Sequence, residues 1–156
     1  MASRQSYKIT KNNNRTEKEG IDYVLQHDPR LINPTKESRK EIMELLELPK
    51  TFSRAFDLIR TPDITTDKSE IVLDKTTDIT LIELKTTKKL LPMNPKGFFF
   101  GATENEFNLA KRMRNQYLFC FVCLHVNSKS FEYLKLSEVE AMTRSKRVQF
   151  QINLQS

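Results

Sequence analysis

The run from Ile79 to Thr87, Ile-Thr-Leu-Ile-Glu-Leu-Lys-Thr-Thr, constrains the fold of this chain more than any other stretch. It is short, aliphatic and β-branched, which predicts a strand. Side chains alternate along a strand, so Ile79, Leu81, Glu83 and Lys85 share one face. Thr80, Ile82, Leu84 and Thr86 share the other. Both faces open with apolar residues, as expected of a strand covered on both sides in a mixed sheet. A carboxylate and an ammonium then follow on the first face, about 7 Å apart along the strand. Charge in such a setting is costly unless it is paired or binds a metal. Glu83 and Lys85 therefore mark the candidate site.

The rest of the chain supplies the frame for that strand. Residues 1–14 are polar, and Asn12-Asn13-Asn14 is a loop signal, so a flexible N-terminal segment is expected before a single domain over 15–156. A helix is predicted from about Arg15 to His27, with Ile21, Val24 and Leu25 on its apolar stripe. Asp28-Pro29 and Asn33-Pro34 punctuate the connection to a second helix over Thr35–Leu48, which Pro49 ends. Its apolar side comes from Ile42, Met43, Leu45 and Leu46.

Strands are expected over Phe52–Arg60 and Ser69–Leu73, the latter turning at 74–78 into the Glu83 strand. A loop over Leu90–Gly97 follows, then Phe98-Phe99-Phe100 and a helix capped by Thr103 with Glu106 completing a capping box. Phe107, Leu109, Ala110 and Met113 are its inward residues. The nearly continuous apolar run Tyr117–Val126 predicts a buried central strand. Phe131–Leu136 pairs back onto it, Ser137 and Glu140 box a short helix, and Val148–Leu154 is a last strand. The resulting fold class is α/β, a mixed central β-sheet flanked by helices.

At 156 residues the chain is long enough for one domain with a real core. A net charge of +6 favours an anionic partner, of which nucleic acid is the commonest. The N-terminal stretch is polar, and no apolar run approaches the about 18 residues of a membrane span. A cytoplasmic protein without membrane segments is expected. Cys120 and Cys123 fall on opposite strand faces, so they read as buried thiols rather than a zinc pair or a bridge. His27 and His125 lack a Ser or Cys partner at a recognisable spacing, which gives a hydrolase triad no support.

Glu83-Leu84-Lys85 is the only acidic-x-Lys triplet in the chain. At the end of an aliphatic strand it resembles the (D/E)XK half-motif of the PD-(D/E)XK nucleases, the superfamily that includes restriction endonucleases and resolvases. Leu81–Thr87, followed by Gly97-Phe-Phe-Phe-Gly-Ala-Thr-Glu-Asn-Glu, looks like restriction-endonuclease-type domains, and the resemblance covers about Phe52 to Val126. It implies a restriction-endonuclease-like core and hydrolysis of DNA by a Mg²⁺-dependent endonuclease of restriction or nicking type, with Mn²⁺ as a substitute ion. The family pattern adds an upstream Asp and the backbone carbonyl of the middle residue, here Leu84, as metal ligands beside Glu83. Lys85 would orient or help deprotonate water and offset charge in the transition state.

For the upstream acid, Asp57 ranks first because it precedes Leu58-Ile59 in a strand-like context. Asp63, after Pro62, is the alternative, with Asp67 and Asp74 behind. Asp78 lies five positions from Glu83 on the opposite face and is set aside. An acid from the first helix often lies near the metal in related nucleases, but Glu17 and Glu19 read here as solvent-facing charges. Lys88, Lys89 and Lys96 are the candidate phosphate contacts, whereas Lys111, Arg112 and Arg114 suit a helix C-terminus. So compact a core leaves little chain for reading a long base sequence, which points to a homodimer or a larger recognition subunit. A non-catalytic nucleic-acid-binding or assembly module on the same fold is the competing reading, and DNA against RNA stays open.

Overall fold

A computed structural model of the chain describes residues 2–62, 73, 74 and 77–156, with side chains from residue 15 onward. The elements are α1 (Ala2–His27), β1 (Leu31–Ile32), α2 (Lys36–Leu45), β2 (Leu58–Arg60), β3 (Thr80–Thr87), α3 (Glu104–Met113), β4 (Tyr117–Cys123), β5 (Ser130–Leu134) and α4 (Leu136–Met142). Five strands form one open sheet in the order β1-β2-β3-β4-β5. Every neighbouring pair is antiparallel except β3 and β4, which run parallel with Glu83 opposite Phe119 and Lys85 opposite Phe121. The α/β class and the mixed, helix-flanked sheet are as the sequence predicts.

The alternation along β3 divides the core. Ile79 and Leu81 join Tyr117, Phe119 and Phe121 in a cluster capped by α2, α3 and α4, through Ile42, Leu109 and Val139. Ile82 and Leu84 join Leu118, Cys120 and Val122 beneath α1, which contributes Val24. All seven residues of β4 are buried, as its unbroken apolar run requires. Cys120 and Cys123 are buried free thiols. At the far edge, Asp28 accepts hydrogen bonds from Arg30 and from the Tyr133 hydroxyl (2.7 Å), tying the end of α1 to β5. Burial alone would raise the Asp28 carboxyl, but these bonds outweigh it and hold the group at about 2.

Several expected elements change. The first helix runs through Asn12–Asn14 rather than starting at Arg15. Asn costs only about 0.7 kcal/mol relative to Ala, which a nucleated helix can carry. Between the two prolines lies β1, too short to leave a period in the sequence. The second helix ends at Leu45, and Glu47 adopts a positive φ of 54° before Pro49. Only Leu58–Arg60 of the 52–60 run pairs as strand, because a 3-10 turn occupies Lys50–Phe52. Residues 69–72 of the expected Ser69–Leu73 strand lie outside the described residues.

The central run stops at Cys123, three residues before Val126, where Leu124 leaves the ladder and donates to the Thr87 carbonyl. Glu138, not Glu140, accepts the backbone N–H that opens α4, since the helix starts at Leu136. Val148–Leu154 forms no strand. Its side chains lie in solvent with no neighbouring strand to pair with, and alternation alone cannot supply one.

Candidate active site

The site forms where β2 and β3 part. Their last paired residues are Leu58 and Ile82, and one step further the Asp57 N–H donates to the Ile82 carbonyl (2.8 Å). The next donor on β3, the Leu84 N–H, finds no backbone partner on β2 and donates instead to Asp57 Oδ2 at 2.7 Å. Asp57 thus replaces a ladder bond with its carboxylate and is locked against the Glu83 peptide. Neither Arg54 nor Arg60 binds it: Arg54 is exposed, and Arg60 lies over the Tyr133 ring.

Glu83 and Lys85 emerge from the same face of β3, as alternation requires. Lys85 Nζ lies 3.5 Å from Glu83 Oε1 and 2.5 Å from Glu106 Oε1. Glu106 is held from behind, because its Oε2 accepts from the Thr103 hydroxyl (2.8 Å) and backbone N–H. A helix-capping residue therefore serves the site with its second oxygen. Glu83 Oε2 is buried with no hydrogen-bond donor, and a carboxylate neighbour such as Asp57 offers it none unless the two share a proton or a cation.

The electrostatics follow from that crowding. Burial, and then the charge of Asp57, pushes the Glu83 carboxyl up to about 10. Burial is also the leading cause that raises Asp57. Taken alone, burial would lower the Lys85 ammonium, but Glu83 and Glu106 outweigh it and hold it above its ordinary value. Lys85 therefore stays cationic. Burial raises Glu17 on α1 as well, followed by the charge of Asp57. Its residue is exposed, yet its carboxylate sits at the rim within electrostatic reach of Asp57, Lys85 and Glu106. The solvent-facing reading of Glu17 is thus incomplete, whereas Glu19 is an exposed charge that meets Lys88 at 3.4 Å.

Two residues of the site escape the sequence reading. Glu106 is legible only as a cap, although it falls on the inward side of α3 beside Leu109 and Ala110. Arg39 of α2 donates to the Phe56 and Asp57 carbonyls and stacks over the Phe56 ring at 4.5 Å. It fixes the segment that carries Asp57. Burial lowers its guanidinium against the opposing pull of Asp57 and Glu83. The available signal was its spacing of three and four from the buried Ile42 and Met43.

The other candidates scatter. Asp63 and Asp67 lie outside the described residues; Asp74 and Asp78 are exposed. Lys88, Lys89 and Lys96 are exposed on the loop that leaves β3. Arg112 donates to the Glu47 carbonyl, a structural use in keeping with its place at the end of α3. Among the described residues no three His, Cys, Asp or Glu side chains converge on one metal position. No described helix is long and apolar enough to cross a membrane. Compared with protein-family models, curated proteins and solved structures, the chain matches none.

Proposed function

We propose that the protein is a metal-dependent DNA endonuclease of restriction or nicking type, built on a PD-(D/E)XK, restriction-endonuclease-like core. The observation that carries this reading is the carboxylate pair of half-buried Asp57 and buried Glu83, with its unpartnered Glu83 Oε2, facing a lysine two residues along the same strand. The helix α3 and the parallel strand β4 that follow the motif strand also suit the resemblance.

A divalent ion fits this donor set. Mg²⁺ takes oxygen ligands, keeps several waters and is held by one or two carboxylates plus substrate phosphate. It therefore needs no third acidic side chain, in keeping with the pair found here. Asp57 and Glu83 would hold it, with the Leu84 carbonyl as a further ligand. When bound, the ion polarises a phosphoryl oxygen and acidifies a water. The protein does the rest. Arg39 fixes the Asp57 backbone, the Leu84 N–H orients the Asp57 carboxylate, and Glu106 steadies the Lys85 ammonium. Because Lys85 stays protonated, its part is to stabilise charge on the phosphoryl group and to hold water, not to abstract a proton.

The test is nicking of supercoiled plasmid with Mg²⁺ or Mn²⁺. Glu83→Ala and Lys85→Ala should each lower the rate at least about 100-fold. One active site cuts one strand, so double-strand cutting would need a homodimer or a partner subunit. Salt-sensitive DNA binding with no metal-dependent nicking, unchanged in both variants, would replace this reading with a non-catalytic binding module.

A further inference from the structure

The loop between β3 and α3 holds one of the most exposed large apolar side chains of the described residues. Phe99 is 93% exposed, although both its neighbours are packed. The rings of Phe98 and Phe100 stand edge-on to Phe121, at 5.0 and 5.1 Å between centroids. With its two neighbours turned inward in an extended segment, Phe99 must face out. It cannot fold away, because the loop is pinned to β5 and the turn before it. The Asn94 amide donates to the Phe121 carbonyl (3.0 Å) and to Ser130 Oγ, and the Leu91 N–H donates to Ser128 Oγ.

The position of this ring is informative. Phe121 is the β4 residue directly opposite Lys85, so the phenylalanine cluster lies next to the site at the carboxyl end of β3. The stretch 88–101 also carries the exposed Lys89 and Lys96, besides Lys88 that pairs with Glu19, and no acidic residue of its own. A fixed aromatic face among cations matches the chemistry of a nucleobase on its phosphate backbone. An apolar protein partner gains nothing from the lysines.

We infer that Phe99 is a stacking platform for an unpaired nucleobase, so that the preferred substrate presents a single-stranded or splayed nucleotide beside the scissile phosphate. This rests on the nucleic-acid reading of the Glu83 site. Bases inside an intact duplex are already stacked on both faces and offer no surface to the ring.

The chain contains four Tyr but no Trp, so Phe99→Trp places a sole tryptophan at the platform, which red-edge excitation selects over the tyrosines. In EDTA, where no cleavage occurs, an oligothymidylate should quench its emission, and an abasic oligomer of equal length should not. Phe99→Ala should weaken oligothymidylate binding roughly 5- to 100-fold and leave duplex binding within about two-fold. Equal quenching by the abasic strand or by heparin would overturn the inference, because charge alone would then account for it. An emission change that depends only on protein concentration would also overturn it, by placing a second copy over the ring. Plasmid nicking without base-dependent quenching sinks the platform and spares the hydrolase; quenching without metal-dependent nicking does the reverse.

Discussion

At the scale of single residues, the decisive feature is a proton. Unfolded, Glu83 ionises near 4.5; folded and free of metal, it holds its proton up to about 10. Between those values unfolding releases a proton, so the metal-free protein loses stability as pH rises. Glu83→Gln removes this loss. Its Tm should exceed that of the parent by about 10 °C near pH 8 and match it within ~1 °C near pH 4. Calorimetry in EDTA reads this directly, and a constant difference across that range would refute the assigned cause. Adding Mg²⁺ at the higher pH should raise the Tm of the parent and leave the variant unmoved. The Glu83–Lys85 pair was legible because strand alternation puts both on one face. Asp57 could be ranked from its strand-like context, but its tie to Leu84 depends on where β2 and β3 separate. Glu106 and Arg39 were hidden, since a capping box and a basic helix residue each have a sufficient local explanation.

At the scale of elements, α1 lies on the sheet through Gly20. A Cβ added there would run into the Thr86 hydroxyl, with Leu84 Cδ2 only 3.2 Å away. Gly20→Ala would normally favour a helix by roughly 1 kcal/mol. Here overpacking should win and destabilise the protein by about 1–3 kcal/mol, read as a lower urea midpoint at unchanged slope. A stabilised variant would show that α1 can lift off β3 at no cost. The same contact keeps Glu17, one turn earlier, over the rim of the site. Long, buried elements such as β3, β4 and α3 could be read from periodicity and caps. Two-residue β1 left no period to read, and the 52–60 run was misread because buried Ala55 and Phe56 precede the ladder rather than join it.

At the scale of the whole molecule, the +6 charge and the acidic site act together. On the nuclease reading proposed above, the cationic loop would attract the polyanion, and a divalent ion would displace the Glu83 proton and offset the carboxylate charge that results. Nucleic-acid affinity should therefore fall steeply with salt. The other molecule-wide feature is the alternating run beyond α4. Val148, Phe150, Ile152 and Leu154 are each at least 75% exposed, spaced by uncharged amides and lacking any proline. Pleated segments of that composition join copies of themselves into fibrils. Residues after Arg147 should accordingly govern shelf life without governing the fold. Deleting them ought to leave the Tm within about 1 °C and abolish thioflavin-positive growth in concentrated samples, and a Tm drop of several degrees would mean that the run is packed in solution. The hazard to solubility then sits in nine neutral residues far along an otherwise strongly charged chain, where a single lysine in place of Phe150 would act as a gatekeeper.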